Sequence, residues 1–305
     1  MIKSLSALMT DKFALWWNYL TTGLILTIFL GGCAMAPPKK LTVEDMAESF
    51  EAGTIFSAKL GRPVTFDELI SDLTSCRIIY VGEKHTDTAQ HRHQLEIIQA
   101  LFRENPKLTV GMEMFDFTYQ DVLDQWSAGR LDQRTFLRKV HWYANWRYDF
   151  SLYSDILEFI KENHIGLVGL NIPGYIPDRI REGGIENLRA AEKKYLPGEI
   201  DTSNAAQREY LREVFNHHHH IQDRVQFEDF YTAQVVWEEA MAETIARHLN
   251  NNAMVVLAGN GHIQYKYGIP DRAFKRTGAP FRTVYQAPAG IEVKRDIADY
   301  VWVTP

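Results

Sequence analysis

Short apolar runs rich in β-branched residues alternate along this chain with longer stretches in which apolar residues recur at helical spacing. Continuous apolar runs of this length are typical of buried strands in a parallel sheet. They predict strands at 77–82, 108–113, 165–171, 253–259, 282–286 and 300–303. Helical spacing, with Thr65 as an N-cap and Pro106 after the second helix, predicts helices at 66–73, 88–104, 119–127, 135–142, 152–163 and 270–276.

The order of these elements predicts the domain organisation. Strands that alternate with helices indicate an α/β fold, here a three-layer domain with a mostly parallel sheet plus a helical subdomain. We assign residues 66–176 and 251–305 to the α/β domain. Residues 177–250 hold no strand candidate and are assigned to the helical subdomain, either inserted or forming a cap over one edge of the sheet. Residues 33–65 are predicted to be a tether and N-terminal segment.

Titratable side chains stand at the ends of three predicted strands. Glu83 and His85 follow the first strand, Glu113 closes the second, and His262 follows the strand at 253–259. The carboxyl ends of parallel strands meet at one edge of a sheet, where ligands bind, so we expect these four rim residues to converge. Two carboxylates and two imidazoles suit a divalent metal, or general-base catalysis by a His held by a carboxylate. The other interpretation is a buried polar network that holds the strand ends together.

The N-terminus predicts the compartment. An apolar stretch at 13–30 follows Lys3 and Lys12, as in a secretory signal. It ends in Leu30-Gly31-Gly32-Cys33, which resembles the lipobox of bacterial lipoproteins. We therefore predict a signal peptide at 1–32 and lipidation of Cys33, although an uncleaved membrane anchor is the alternative. Ala34 after the Cys resembles lipoproteins sorted to the outer membrane, which predicts a lipid-anchored, periplasm-facing protein.

Net charge limits the classes of partner that the chain could bind, and cysteine content limits the disulfides that it could form. The formal net charge is −6, and removal of residues 1–32 makes the chain one unit more negative. An acidic chain without a basic run argues against nucleic acid as a partner. If Cys33 is acylated, Cys76 has no partner for a disulfide within the chain, so stability must come from the core.

Several motifs occur together in an order that resembles one family. They are Gly82-Glu83-x-His85 with Asp87 and His91, Glu113 with Phe115, Asn171-x-Pro173, Gln234-x-x-Trp237-x-x-x-Met241-Ala242, and Gly259-Asn260-Gly261-His262 with Tyr267-Gly268-Ile269-Pro270. Over about residues 66–290 the chain resembles the ChaN family of haem-binding bacterial lipoproteins, in the superfamily of Tiki and TraB proteins and erythromycin esterases. Lys84, at a position that is often apolar in the family, and Glu238-Glu239, where an Asp commonly follows the Trp, depart from the pattern.

The resemblance implies haem binding linked to iron uptake and a lipid anchor facing the periplasm. It leaves two further partners open, an outer-membrane haem receptor and a second copy of this chain. The sequence has no Cys-x-x-Cys-His, so any haem is held non-covalently.

Tyrosines and histidines are the candidate haem ligands, because phenolate is a hard donor suited to ferric iron and imidazole is a common haem ligand. The candidates are Tyr231, Tyr265 and Tyr267, and His217 and His218 of the four-histidine run. That run also fits a solvated helix end. Aromatic residues between 141 and 153 fit either stacking on a porphyrin or packing against the sheet.

The resemblance also raises a rival function from a different class. Relatives use their Gly-x-x-His and Glu residues for catalysis, which suggests a metal-dependent hydrolase built on Glu83, His85, Glu113 and His262. In the metal-binding interpretation, His91 is a fifth ligand: His91 and His93 lie on different faces of the next helix, and the family pattern favours His91.

Overall fold

The computed structural model describes residues 39–217 and 226–305. The predicted signal peptide, Cys33 and His218 lie outside these residues. Among the helices described, none is long and apolar enough to cross a bilayer. The strands are β1 Leu41–Val43, β2 Ser49–Phe50, β3 Ile55–Ser57, β4 Arg62–Val64, β5 Ile78–Glu83, β6 Leu108–Asp116, β7 Gly166–Asn171, β8 Ala253–Gly259, β9 Phe281–Pro288, β10 Glu292–Val293 and β11 Tyr300–Thr304.

Eight strands form one sheet in the order β4-β3-β11-β9-β5-β8-β6-β7. Neighbours from β11 to β7 run parallel, whereas β3 pairs antiparallel with both β11 and β4 at one edge. A small second sheet has the order β10-β1-β2. The prediction of an α/β fold with a mostly parallel sheet is therefore confirmed.

The helices begin and end close to the predicted positions. They are α1 Phe66–Leu73, α2 Thr88–Glu104, α3 Gln120–Ser127, α4 Gln133–Lys139, α5 Trp142–Asn145, α6 Ser154–Glu162, α7 Tyr175–Gly183, α8 Ala205–His217, α9 Phe227–His248 and α10 Ile269–Thr277. Thr65 caps α1 in a capping box with Glu68, which fixes its start. The helix predicted at 135–142 is instead two helices, α4 and α5, because His141 between them adopts a left-handed backbone with φ of 50°.

Both faces of the sheet are buried, which makes three layers. Ile79 and Val81 of β5 pack into one core with α1, α2, α3, α4 and α6, while Ile78 and Tyr80 pack into a second core with α9 and α10. Successive strand residues point to opposite faces, so a strand covered on both sides must be apolar throughout. This is why β5 and β8 appear in the sequence as unbroken apolar runs.

Helix α9 contributes to the sheet's core and also to a helical core. Met241 and Ile245 pack on the sheet, whereas Ala233 and Val236 pack with α7 and its neighbours in a separate cluster. The division into an α/β domain and a helical subdomain at 177–250 stays a prediction. Helix α9 contributes residues to both hydrophobic clusters.

Strands β1 to β4 are absent from the predictions made above for residues 33–65. Each has only two or three residues, too short for a periodic pattern. Their pairing partners lie far along the chain: Ile55 pairs with Trp302 and Val43 with Val293. Pro63 in β4 is tolerated because β4 is an edge strand.

Candidate functional site

A cleft opens at the carboxyl ends of β5 and β8, where the sequence places its titratable residues. Its cavity volume of ≈ 470 Å³ falls in the range of roughly 300–1,000 Å³ that is usual for small-molecule sites. It is lined by Glu83, Lys84, His85, Gln90, Tyr210, Leu211, Val214, Phe230, Gln234, Gly259, Asn260, Gly261, His262, Tyr285, Gln286 and Pro288. One side consists of strand ends and the other side consists mainly of α8 and α9.

Glu83, the last residue of β5, is buried and saturated with hydrogen bonds. Its Oε1 accepts from the Tyr153 hydroxyl at 2.6 Å and from His85 Nδ1 at 2.8 Å, and its Oε2 accepts from Gln94 Nε2 at 3.0 Å. His91 Nε2 lies 3.4 Å from the same Oε2. Burial opposes ionisation, but the hydrogen bonds from His85 and His91 outweigh it and lower the pKa of Glu83 to about 2. Glu83 is therefore an anion whose lone pairs are already occupied.

A second pair, Glu113 and His262, lies beside the first. His262 Nε2 is 3.4 Å from Glu113, its Nδ1 is 3.3 Å from Glu238 of α9, and Glu113 also accepts the Gly259 N–H at 2.7 Å. Burial disfavours the charged imidazole, yet the two carboxylates raise the pKa of His262 to about 10. Burial also opposes the ionisation of Glu113, and the charge of His262 lowers its pKa. His262 is thus an imidazolium between two carboxylates.

Local backbone features place these pairs next to each other. Glu113 sits where the β6–β7 register shifts between Met112 and Asp116, a bulge of the kind that re-aims side chains. A Cβ built on Gly259 would come within 3.1 Å of the His85 ring and 3.6 Å of the Glu113 carboxylate. Glycine at position 259 therefore lets the two pairs approach.

The carboxylates and imidazoles of the rim are paired with one another. Burial lowers the pKa of His85, but the Glu83 hydrogen bond and the nearby Glu113 charge reverse this, so its pKa is raised. Glu238, which faces His262, also lies 3.6 Å from Arg272. All four rim residues come together as the sequence predicts.

The predicted divalent-metal site is not supported. Within residues 39–217 and 226–305, no group of three or more His, Cys, Asp or Glu side chains has the arrangement to hold a metal ion. The physical reason is that the rim side chains bond to one another, and a protonated imidazole has no lone pair for a metal. His91 lies behind Glu83 with its ring 4.5 Å from that of Tyr153, and it does not line the cleft.

Several residues of the family motifs support the rim, and Gln234 among them also lines the cleft. Asp87 caps α2 by accepting the N–H groups of Ala89 and Gln90. The Asn171 side chain donates to the backbone carbonyl of Glu113 at 3.0 Å. Gln234 of α9 donates to Glu238 at 2.8 Å and so holds the carboxylate that faces His262.

The opposite side of the cleft is a wall of helical residues that sequence reasoning missed. Leu211 and Val214 of α8 and Phe230 of α9 supply apolar surface, and Tyr210 of α8 supplies a phenol. The Tyr210 hydroxyl accepts a hydrogen bond from the Gln264 amide. The spacing of Tyr210, Leu211 and Val214, within one helical turn, is the signal that could have indicated this face.

Of the predicted haem ligands, the four within the described residues do not line the cleft, and His218 lies outside those residues. Tyr231 is buried, and its hydroxyl donates to the Thr202 carbonyl at 2.9 Å. Tyr265 and Tyr267 stack on each other with ring centroids 5.4 Å apart, and neither lines the cleft. His217 is exposed at the end of α8, with its Nδ1 2.7 Å from the Glu213 carbonyl oxygen.

The aromatic residues between 141 and 153 mainly serve the core. Trp142 and Tyr153 are buried there, and Trp142 packs edge-on against Phe150. Trp146 and Tyr148 lie against His85, with centroid distances of 4.8 and 5.2 Å. They therefore hold the His85 ring in place from the side away from the strands.

An open α/β sheet with a partly apolar cleft at its strand ends defines a class of small-molecule-binding proteins. The sequence comparison is more specific, because the model of a family described as haem-binding uptake, Tiki superfamily, ChaN, matches residues 69–273. The chain belongs to this haem-binding family. No curated protein matches the sequence.

Among solved structures, ChaN of Campylobacter jejuni shares the fold of this chain. ChaN of Campylobacter jejuni, described as binding haem cofacially, superposes with a TM-score of 0.67 at 20% identity, covering 81% of this chain and 95% of that one. An erythromycin esterase mutant in its open conformation superposes at 0.45 with 14% identity, covering 77% of each chain. A Bacillus cereus protein superposes at 0.42 with 12% identity, covering 74% of this chain and 70% of that one.

Proposed function

We propose that this protein binds haem non-covalently in the cleft between the rim residues and the helical wall, and that it thereby takes part in iron acquisition. The observation that carries the proposal is the cleft's composition: an apolar wall with a hydrogen-bonded phenol, facing a rim of paired carboxylates and imidazoles. A porphyrin has apolar faces, and Leu211, Val214 and Phe230 offer it apolar contact. The family and the Campylobacter jejuni protein support haem as the ligand.

The donors in the cleft favour Tyr210 as the residue that ligates iron. The pKa of His262 is raised to about 10 between two carboxylates, so its imidazole has no lone pair to offer, and His85 Nδ1 is bonded to Glu83 at 2.8 Å. A phenol remains, and tyrosinate is an established axial ligand of ferric haem. Burial raises the pKa of Tyr210, so it holds its proton in the free protein. The amide of Gln264, which donates to the phenol oxygen, stabilises the anion once Tyr210 ligates ferric iron.

Hemin titration of the purified protein, followed by absorbance, tests this proposal. We expect a saturable Soret shift at low micromolar hemin, with the high-spin ferric bands that a tyrosinate ligand produces. Tyr210→Phe keeps the ring and removes the donor, so those bands should disappear. Absence of saturable binding would refute the proposal. Retention of the wild-type spectrum in Tyr210→Phe, with its loss in His85→Ala, would assign the iron to His85 instead.

For the cellular role, we propose a lipoprotein anchored through Cys33 at the outer membrane and facing the periplasm. The apolar stretch after Lys3 and Lys12 and the lipobox-like residues before Cys33 support this. An outer-membrane haem receptor and a second copy of this chain are the proposed partners. Labelling of cells with radioactive palmitate should mark the wild type and spare Cys33→Ser, and sucrose-gradient fractionation should place the label in the outer membrane. Equal labelling of both proteins would contradict the lipid anchor.

The dimer has a separate test. Light scattering with and without hemin should show a mass of two chains if haem binding involves a second copy. A single-chain mass in both conditions would remove the second copy from the list of partners, and would leave haem binding itself untouched.

A further inference from the structure

Among the described residues that line the cleft, Lys84 carries a charge without an ion-pair partner. Of the described residues that line the cleft, it alone has an ammonium or guanidinium group. Its side chain is exposed, and within the described parts of the chain no carboxylate forms an ion pair with it. Its neighbours Glu83 and His85 are committed to each other at 2.8 Å.

The backbone of Lys84 is fixed by the turn between β5 and α2. Its N–H donates to Gln90 Oε1 at 2.6 Å, and its carbonyl accepts the Asp87 N–H at 2.8 Å. Asp87 in turn caps α2. The position from which the side chain starts is therefore set, whereas its four-carbon stem leaves the ammonium group free to reach a ligand.

The other charged groups of the cleft determine whether the charge of Lys84 is available to a ligand. The rim carboxylates already have partners: Glu83 faces His85, Glu113 faces His262, and Glu238 lies between His262 and Arg272. None of them forms an ion pair with Lys84 within the described residues. A cleft that combines an unpaired ammonium group with an apolar wall suits a ligand that is apolar over most of its surface and anionic at one edge.

We propose that Lys84 is the residue that selects carboxylate-bearing porphyrins, by pairing its ammonium group with a propionate of haem. This inference rests on the proposed haem function and names a specificity determinant for it. A half-exposed ammonium–carboxylate pair is a modest interaction, so we expect about a 3- to 10-fold effect on affinity.

Two porphyrins and four proteins test the proposal. Hemin has two free carboxylates, and hemin dimethyl ester has none but the same iron and ring. We expect the wild type to bind hemin about 3- to 10-fold more tightly than the diester. Lys84→Ala should lose this preference and Lys84→Glu should reverse it. Lys107→Ala should keep this preference. Lys107 is an exposed lysine just before β6, at the amino ends of the parallel strands, whereas the cleft lies at their carboxyl ends. Circular dichroism checks that each variant is folded.

The outcomes separate this proposal from the haem function. Equal affinity of the wild type for both porphyrins, or an unchanged preference in Lys84→Ala, overturns the role of Lys84 and leaves haem binding standing. Failure of the wild type to bind either porphyrin refutes the haem function and the role of Lys84 with it. A second readout is salt: hemin affinity of the wild type should fall as ionic strength rises, and that of Lys84→Ala should fall less. Identical salt dependence in the two proteins would count against the ion pair.

Discussion

The two sides of the cleft differ in what their side chains do. On the strand side, Glu83, His85, Glu113 and His262 bond to one another and to residues behind them. On the helical side, Val214 and Phe230 present apolar surface to the cleft, beside the nearly buried Leu211 and the Tyr210 phenol. The difference teaches that a convergence of titratable residues can be the support of a binding site, while the contact surface comes from residues with no distinctive chemistry.

Removing one rim partner should cause the largest loss of stability. His262→Ala leaves the buried carboxylate of Glu113 without its cation and Glu238 with only Arg272, which should destabilise the fold by about 3–5 kcal/mol. Urea unfolding measures this. His93→Ala is the matched control, because His93 stacks on Trp302 and bonds to the neutral Gln286 amide. Equal losses in the two variants would show that the rim charges are not coupled.

The same imidazolium predicts how stability depends on pH. The pKa of His262 is about 10 in the folded protein against 6.5 ordinarily. Its stabilisation is complete below pH 6.5 and is lost as pH rises through about 10, on the order of a few kcal/mol. For Glu83, the pKa falls from 4.5 to about 2, so its contribution is present above pH 4.5 and lost as pH falls to about 2.

Urea unfolding across both pH windows checks these two signs. The alkaline decline should be shallower in His262→Gln than in the wild type, because the variant has no proton to lose at this position. A wild-type free energy of unfolding that stays level between pH 6.5 and about 10 would contradict the ion-pair description of the rim.

Blocking the open side should affect binding rather than stability. A Cβ on Gly261 meets no atom within 4 Å and would stand in the cleft lining, so Gly261→Leu should lower hemin affinity by about tenfold or more. Gly174→Leu is the control, because a Cβ there also meets no atom within 4 Å but the residue lies outside the cleft. Equal hemin affinities in the two variants would place the ligand elsewhere.

The smallest expected effect concerns Tyr231, one of the haem-ligand candidates that the sequence predicts. Tyr231→Phe removes the hydrogen bond to the Thr202 carbonyl and should cost about 1 kcal/mol. The hemin spectrum should be unchanged, in contrast to that of Tyr210→Phe. Thermal unfolding and hemin absorbance on both variants measure the two quantities. Loss of the ferric bands in Tyr231→Phe alone would make Tyr231 the ligand.

Sequence reasoning reached the strand side because its signals are local. An apolar run such as 77–82 predicts a strand by itself, and the residue that follows it must then lie at the sheet's edge. The protonation states of the rim side chains could not be predicted from the sequence, because they depend on which side chains face each other in the fold. His262 has the composition of a metal ligand, and only its distances to Glu113 and Glu238 show that it is a cation between anions.

The helical wall and the first strands escaped prediction for a related reason. Which face of α8 meets the cleft depends on how the helix packs, and this placed Tyr210 in the lining while Tyr231 of α9 went to the interior. The short strand β3 forms because β11 provides its pairing partner, and the sequence of residues 55–57 does not by itself predict a strand. Non-local pairing of this kind leaves no periodic signal.

The position of β11 has a consequence for the order of folding. This strand lies between the β3–β4 hairpin and β9, and Val303 bonds to Gly53 and Thr54 through its backbone. The hairpin, made early in synthesis, has no place to dock until residues 300–304 arrive. The edges of these strands therefore stay unpaired until nearly the whole chain has been synthesised, and only then can the sheet be completed. Such long-range closure slows folding and exposes the waiting strands to aggregation, which makes assistance by a holding chaperone valuable to this protein.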